Sequence, residues 1–480
     1  MTQQTLKEKT AKGLFWGALN SGAMQILNAV IGVCLSRILS TSDYGLVGML
    51  AIFTAVAAAL QESGFTSALA NLEKATDNDY NAVFWFSTFV SWGSYLLLFF
   101  CAPLIADFFH HTELVDLSRF IFATLLFSAI GTAPTAYLFK NLMVKETAIL
   151  RTLSLLVSGA VGIILALKGY AYWSLAWQQM LYIALTSLGR FLLVPWRPSL
   201  RVDFTPIRKM FSFSYKILIT TVVNTVSQNF LTVIFGRLYP ANAVGNFTQA
   251  FKWDNMASTL VSGTTAQVAQ PILVEVNNDR ERQVAVFRKM LRFTAFLAFP
   301  AMFGLVMVAH EFIIVLVSEK WMDSILLLQI LCVSGAFLPF YTLYQNLMIS
   351  RGKSDIYMWC TIALIVLQIG LMAGCYAKGI VFMVSVYTAV NILWLFVWQY
   401  FANREIGVRL FDVMLDICPY LLITLAVMVA TYFLTMPVSN LVILLLMRIV
   451  VAGLLYLLVM KLTGSRMLDE CIGYFRRNKG

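Results

Sequence analysis

Arg37-Ile38-Leu39-Ser40-Thr41-Ser42-Asp43-Tyr44-Gly45 ends one long apolar run and opens the next, and 200 residues later Arg237-Leu238-Tyr239-Pro240-Ala241-Asn242-Ala243-Val244-Gly245 does the same. The correspondence continues at a nearly constant offset. At 199, Ser63-Gly64-Phe65-Thr66 falls on Ser262-Gly263-Thr264-Thr265. At 205, Pro134, Phe139, Asn141, Leu142 and Met143 fall on Pro339, Tyr344, Asn346, Leu347 and Met348, and at 210 Lys168-Gly169 falls on Lys378-Gly379. Apolar composition alone does not produce four such matches in order. The chain contains one unit twice.

The runs between these landmarks are close to the roughly 20 residues a helix needs to cross the hydrocarbon of a bilayer. They recur to the end of a chain that is 60% hydrophobic and 12% charged. Backbone groups in lipid must be satisfied within the spanning segment, which leaves helices or closed barrels; runs of this length select helices. The expectation is an all-α polytopic membrane protein with 14 transmembrane helices, the first at about 13–36 and the last at about 440–461. An even count puts both termini on one side. With the termini inside, inner segments hold 25 Lys and Arg against 6 at the outer turns, which predicts cytoplasmic termini. The net charge of +11 is then mostly topology. Nucleic-acid binding would gather those charges on one folded face, so no nucleic-acid partner is expected.

Each repeat has an even number of spans, so both copies start inside and the repeat is parallel. The predicted organisation is an N-lobe at 1–204 (helices 1–6), a C-lobe at 205–405 (helices 7–12), and two extra C-terminal helices with a basic cytoplasmic tail at 406–480. Lobes of this kind enclose a central cavity, with the substrate near midplane and exposed to alternate sides by rocking.

No metal or cofactor is expected. The cysteines Cys34, Cys101, Cys332, Cys360, Cys375, Cys418 and Cys471 show no ligand spacing and mostly lie inside apolar runs. Gly352-Lys353-Ser354 follows Leu347 where a phosphate-binding loop requires Gly, which argues against an ATP site. The first apolar run lacks a small-residue cleavage pattern, so it reads as a retained helix.

Several ordered pieces carry a resemblance: Ser36-Arg37-Ile38-Leu39 with Tyr44-Gly45-Leu46, Gln61-Glu62-Ser63-Gly64-Phe65 with Ala68-Leu69, and Phe84-Trp85-Phe86. Gln270-Pro271, Phe299-Pro300 and Glu319-Lys320-Trp321 extend it. Together the set resembles the polysaccharide transporter branch of the multidrug/oligosaccharidyl-lipid/polysaccharide (MOP) exporter superfamily, of the colanic-acid and O-unit exporter type. The resemblance implies a V-shaped bundle of two six-helix lobes plus two helices. It also implies transfer of an undecaprenyl-diphosphate-linked oligosaccharide from the cytoplasmic to the periplasmic leaflet of a bacterial inner membrane, with membrane lipids around it and a polysaccharide polymerase as candidate partner. The alternatives are a drug/cation antiporter of the same superfamily, which usually has twelve helices and acidic cavity residues, and a membrane-embedded O-unit polymerase or ligase, which presents a sizeable outer loop absent from this sequence.

Ionisable and polar groups at membrane depth are the candidate site residues. Lys252 lies about nine residues into the eighth span, about 14 Å deep at 1.5 Å per residue. Gln249, Lys252, Asn255 and Thr259 share a helical face, and a diphosphate needs a cation. Ser21, Gln25 and Asn28 line one face of the first helix, and Thr221, Asn224 and Gln228 the repeat-equivalent face of the seventh. Substrate contact is therefore expected from Lys252, Gln249, Asn255, Gln25, Asn28, Asn224 and Gln228. Glu62 and Asp254 are the candidates for ion coupling, Glu62 also being placed to pair with Lys216 or Arg190. Arg448, midway along the last span, is expected to play a structural role, with a carboxylate of the lobe or a lipid phosphate as its partner.

Overall fold

In the computed structural model, residues 6–62, 64–72, 75–141, 143–276, 279–465 and 467–468 are described. The side chains of Ser21 and Lys216 and most of the basic tail lie outside the described part. Every regular element among the described residues is helical. In order these are α1 (Leu6–Ile38), α2 (Thr41–Glu62), α3 (Phe65–Asn71), α4 (Asp77–Phe109), α5 (Leu114–Phe122), α6 (Thr124–Lys140), α7 (Val144–Leu167), α8 (Tyr172–Leu193), α9 (Thr205–Leu238), α10 (Ala241–Glu275), α11 (Arg280–Glu311), α12 (Asp323–Gly335), α13 (Leu338–Ser350), α14 (Ser354–Cys375), α15 (Ile380–Ile406), α16 (Leu410–Thr435) and α17 (Leu441–Leu462).

Eleven helical segments among the described residues are long and apolar enough to cross a membrane. Of the remaining expected spans, α1 is apolar over the shorter stretch Gly22–Ile38, while α8 and α10 are long but carry many polar residues. The surface is that of a membrane protein. Leu462 is 77% exposed and Phe100 73%, whereas Ser91, Ser158, Gln368 and Thr424 are buried. Helices in lipid gain nothing by hiding Leu from hydrocarbon, so they pack through small residues and polar groups instead.

The chain packs as two compact units, Met1–Gly245 and Asn246–Gly480. In the first, α7 packs against α1 and α8, α6 against α4 and α8, and α9 against α2 and α4. Glycines set the closest approaches. A Cβ on Gly159 would lie 2.3 Å from Ile31 Cδ1, and one on Gly131 2.9 Å from Ser187 Oγ. The first turn of α10 belongs to this unit and meets the first turn of α2 reciprocally. A Cβ on Gly45 would lie 1.9 Å from the Ala241 carbonyl oxygen, and one on Gly245 1.8 Å from that of Thr41. Both pairs of residues are related by the repeat offset of 200.

The end of α2 is shaped by Gly64, whose φ of 70° is a conformation open to glycine at little cost. The chain turns there into α3, anchored by fully buried Phe65 at 5.0 Å from the Phe86 ring. Thr76 and Asp79 form a capping box that starts α4. The connection before α9 is tied to the same helix. The Asn81 amide donates to the Arg201 carbonyl at 2.5 Å, and Trp85 Nε1 donates to that of Ser199 at 2.7 Å. Hydrogen bonds from Thr205, then Asn78, hold the exposed Asp203 carboxyl down to about 2. Arg237 donates from Nη1 to the Phe108 carbonyl at 2.5 Å at the end of α4, where a cation complements the helix dipole.

In the second unit α11 is the hub, packing against α12, α13, α16 and α17. Its core holds Phe299, Phe340, Trp321 and Trp398, all nearly inaccessible. Pro300 lies inside α11, but Pro339 sits in the first turn of α13. A proline lacking its N–H costs nothing in that position, so the tenth span is interrupted before Leu338 rather than kinked at the proline. Beyond Glu311, α11 continues into a π-helical stretch, Phe312–Val317.

Candidate functional site

At the end of α2 the first unit holds a half-open polar pocket of about 150 Å³. It is lined by Gln61, Glu62, Thr66, Ser128, Thr132, Thr135, Ser187 and Arg190, with Ala58 and Gly131 as its small apolar wall. Gln61 is buried, and its amide nitrogen donates to Ser128 Oγ at 3.1 Å and Thr132 Oγ1 at 2.9 Å. Arg190 Nη1 donates to Thr135 Oγ1 at 3.0 Å. Gln61 Oε1 and Arg190 Nε are buried without a hydrogen-bond partner. Glu62, exposed at the rim, shares the pocket with Arg190, one of the two partners its sequence position suggested, yet no ion pair joins them among the described residues. The hydroxyls of α6 were missed by the sequence reading. Their signal was the helical spacing of Ser128, Thr132 and Thr135.

The other predicted residues of this unit sit on two helices with different neighbours. Gln25 and Asn28 are half-buried on α1, which packs against α7. Asn224 is half-buried and Gln228 exposed on α9, which packs against α2, α3 and α4.

In the second unit α10 presents two different faces. Asn255 and Thr259 are exposed, joined by a bond from Thr259 Oγ1 to Asn255 Oδ1 at 3.3 Å, and Lys252, half-buried, places Nζ 5.4 Å from the Trp253 ring centre. Gln249 and Asp254 are instead fully or nearly fully buried. Asp254 points at α12, where a Cβ on Gly335 would lie 2.3 Å from its Oδ1. Lys252 and Asp254 thus leave the helix on different sides, as two-residue spacing requires. Nearby polar groups are paired among themselves: Gln368 Nε2 donates to Asn391 Oδ1 at 2.9 Å, and Tyr341 donates to the Asn391 carbonyl at 2.5 Å.

The partner of Arg448 is Glu311, at 2.8 Å from Nη1 to Oε1, with both side chains buried. Arg448 Nη1 also donates to the Met307 carbonyl at 3.3 Å, and its guanidinium lies 5.0 Å from the Tyr432 ring centre. A second ion cluster ties α16 to α11. Arg288 Nε donates to Asp416 Oδ2 at 2.6 Å and Arg292 Nη1 to Asp416 Oδ1 at 2.9 Å, with Asp412 at 3.5 Å from Arg288. Glu311 is not legible in the sequence as a membrane-buried group because it stands at the end of an apolar run, next to His310. The π-helical continuation carries the helix past it and leaves the carboxylate inside.

Among known proteins, the chain is 22% identical over 358 residues to the lipopolysaccharide biosynthesis protein WzxC of Escherichia coli (strain K12), covering 73% of this chain and 72% of that one. It is 22% identical over 395 residues to the teichuronic acid biosynthesis protein TuaB of Bacillus subtilis (strain 168), covering 81% of each. The succinoglycan biosynthesis transport protein ExoT of Rhizobium meliloti (strain 1021) is 21% identical over 373 residues, 78% of this chain and 76% of that one. Among solved structures, the lipid II flippase MurJ in an inward closed conformation superposes with a TM-score of 0.72 at 15% identity, over 92% of this chain and 99% of that one. An inward-facing multidrug resistance MATE family transporter of the MOP superfamily gives 0.64 at 17% identity, over 80% and 94%. These likenesses identify the fold as that of polytopic, all-helical transporters. The family profile described as "Polysaccharide biosynthesis protein" matches residues 34–326, more than half of the chain, and the protein belongs to that family.

Proposed function

We propose that this multi-pass membrane protein flips an undecaprenyl-diphosphate-linked oligosaccharide from the cytoplasmic to the periplasmic leaflet by alternating access, for export of O-antigen, capsule or exopolysaccharide repeat units. The observation that carries the proposal is the family match, taken with relatives named for lipopolysaccharide, teichuronic acid and succinoglycan. Movement of a membrane-anchored precursor is a task common to making all of them, and a bundle with apolar outer faces and polar groups inside suits it. No bond is made or broken in that movement, so the protein acts as a transporter and not as an enzyme.

In this reading the lobes divide at 204/205 with helices 13 and 14 after 405, the membrane is the bacterial inner membrane, and both termini are cytoplasmic. Lys252 attracts the diphosphate, a dianion that a cation in a low-dielectric cavity binds far more strongly than in water. Asn255, Gln249, Gln25, Asn28, Asn224 and Gln228 contact the headgroup, and Glu62 and Asp254 couple transport to an ion. A polysaccharide polymerase receives the unit on the far side. The test is deletion of the gene: lipid-linked units should accumulate on the cytoplasmic leaflet and surface glycan should vanish. Unchanged surface glycan in the deletion strain sinks the proposal.

A further inference from the structure

We infer that the pocket at the end of α2 is a recognition site for a single neutral sugar ring, and that it reads one monosaccharide of the translocated glycan. The inference rests on the transport reading above for the identity of the cargo, but the site itself rests on geometry within the first unit.

Its polar groups are paired only in part. Gln61, 2% exposed, spends one end of its amide on Ser128 and Thr132 and leaves the other end buried without a partner. Amide orientation is assigned from the network, and since hydroxyls can donate or accept, either orientation leaves one end of the amide for a ligand. Arg190 likewise uses Nη1 on Thr135 while its Nε is buried without an acceptor. Buried polar groups are nearly always satisfied, so a ligand able to donate and accept within a few ångströms belongs here. Hydroxyl groups do both.

Charge narrows the class. Glu62 and Arg190 put one carboxylate and one guanidinium around the same space. A phosphate would be opposed by Glu62 and a metal cation by Arg190, whereas a neutral polyol is opposed by neither and can bond to both, and a coupling proton carried on Glu62 leaves those bonds possible. The volume of about 150 Å³ suits one ring and not an oligosaccharide. Gly131 helps to make the room, since α6 and α8 approach so closely there that any side chain would strike Ser187. On the orientation proposed above, the end of α2 faces the cytoplasmic half of the membrane, where the glycan is loaded.

The test is saturation-transfer NMR on the full-length protein in nanodiscs, with glucose, galactose, N-acetylglucosamine and glucuronate as probes. At least one neutral sugar should bind saturably in the millimolar range, and Gln61→Leu and the near-isosteric Thr132→Val should each weaken it at least tenfold. Thermal unfolding of each variant checks the fold, and Thr132→Val, which removes one hydroxyl at constant shape, keeps the test decisive if Gln61→Leu fails to fold. Absence of saturable binding by every neutral sugar overturns the assignment, as does binding by glucuronate alone or binding indifferent to both substitutions. Failure of the transport reading looks different: surface glycan would then persist in the deletion strain, whatever the sugars do in vitro.

Discussion

Arg448 Nη1 and Glu311 Oε1 meet at 2.8 Å inside the second unit, with neither side chain more than 8% exposed, so that α17 is pinned to the end of α11. Removing one member leaves an uncompensated buried charge, which typically costs 3–5 kcal/mol, whereas replacing both with apolar residues of similar size is often close to neutral. Arg448→Ala and Glu311→Ala should each lower thermal stability and expression strongly, by roughly 3–5 kcal/mol. The double variant Glu311→Leu/Arg448→Met should recover most of the loss. Single variants as stable as the wild type would show that the pair does not anchor α17.

A further ionic junction between α11 and the last two helices is the Arg288, Arg292 and Asp416 cluster. Asp416 is the shared acceptor and is nearly inaccessible, so Asp416→Ala removes three charge-assisted bonds at once, two from Arg288 and one from Arg292. A loss of roughly 1–3 kcal/mol is expected, read as a lower unfolding temperature. Asp416→Glu should fall between the two. The arginines are about one-third exposed, so Arg292→Ala alone should cost less than Asp416→Ala; the reverse order would rule out Asp416 as the organising group.

Gly45 and Gly245 leave no room for a side chain, since a Cβ would come within 1.9 Å of the Ala241 carbonyl oxygen and 1.8 Å of the Thr41 carbonyl oxygen. The obstacle in each case is backbone, which cannot swing aside. Gly45→Ala and Gly245→Ala should each destabilise by at least the 1–3 kcal/mol typical of overpacking, while Gly263→Ala, with nothing within 4 Å of its Cβ, should be nearly silent. Equal stability of Gly45→Ala and Gly263→Ala would contradict the contact.

On the proposed reading that Lys252 is the cation for the diphosphate, Lys252→Ala should abolish surface glycan and let lipid-linked units accumulate in a well-expressed protein. Lys252→Arg keeps the charge but changes its shape and hydrogen bonding, so partial export is expected. Full export by Lys252→Ala at normal protein levels would remove this residue from the transport path. Arg448→Ala gives the contrast: its loss of export should follow its loss of protein.

Much of this architecture is legible in one sequence because the bilayer makes the code simple. Apolar length sets the helices, and the offset of 200 that pairs Gly45 with Gly245 in sequence reappears as a reciprocal backbone contact. The Lys252 and Asp254 divergence was also legible, since helical periodicity alone sends residues two apart to different sides. Periodicity was less informative for Gln249. It shares a helical face with Lys252 by spacing, yet it is fully buried, because a face is a direction and burial depends on which neighbour stands there.

By itself the sequence determined the helical membrane class, the internal repeat, the family resemblance and the residues with charge at depth, all of which follow from local composition, period and spacing. Tertiary structure alone decided which of those charges meet. Glu311 and Arg448 lie 137 positions apart, and Asp416 lies more than 120 from either of its arginines. Gln61 and Arg190 come to one pocket because α2, α6 and α8 pack together, with Gly131 letting α6 close on α8. Hydrogen bonds and contact ion pairs form only when their atoms come within a few ångströms, so pairings of this kind are settled by helix packing in three dimensions and leave no periodic trace along the chain.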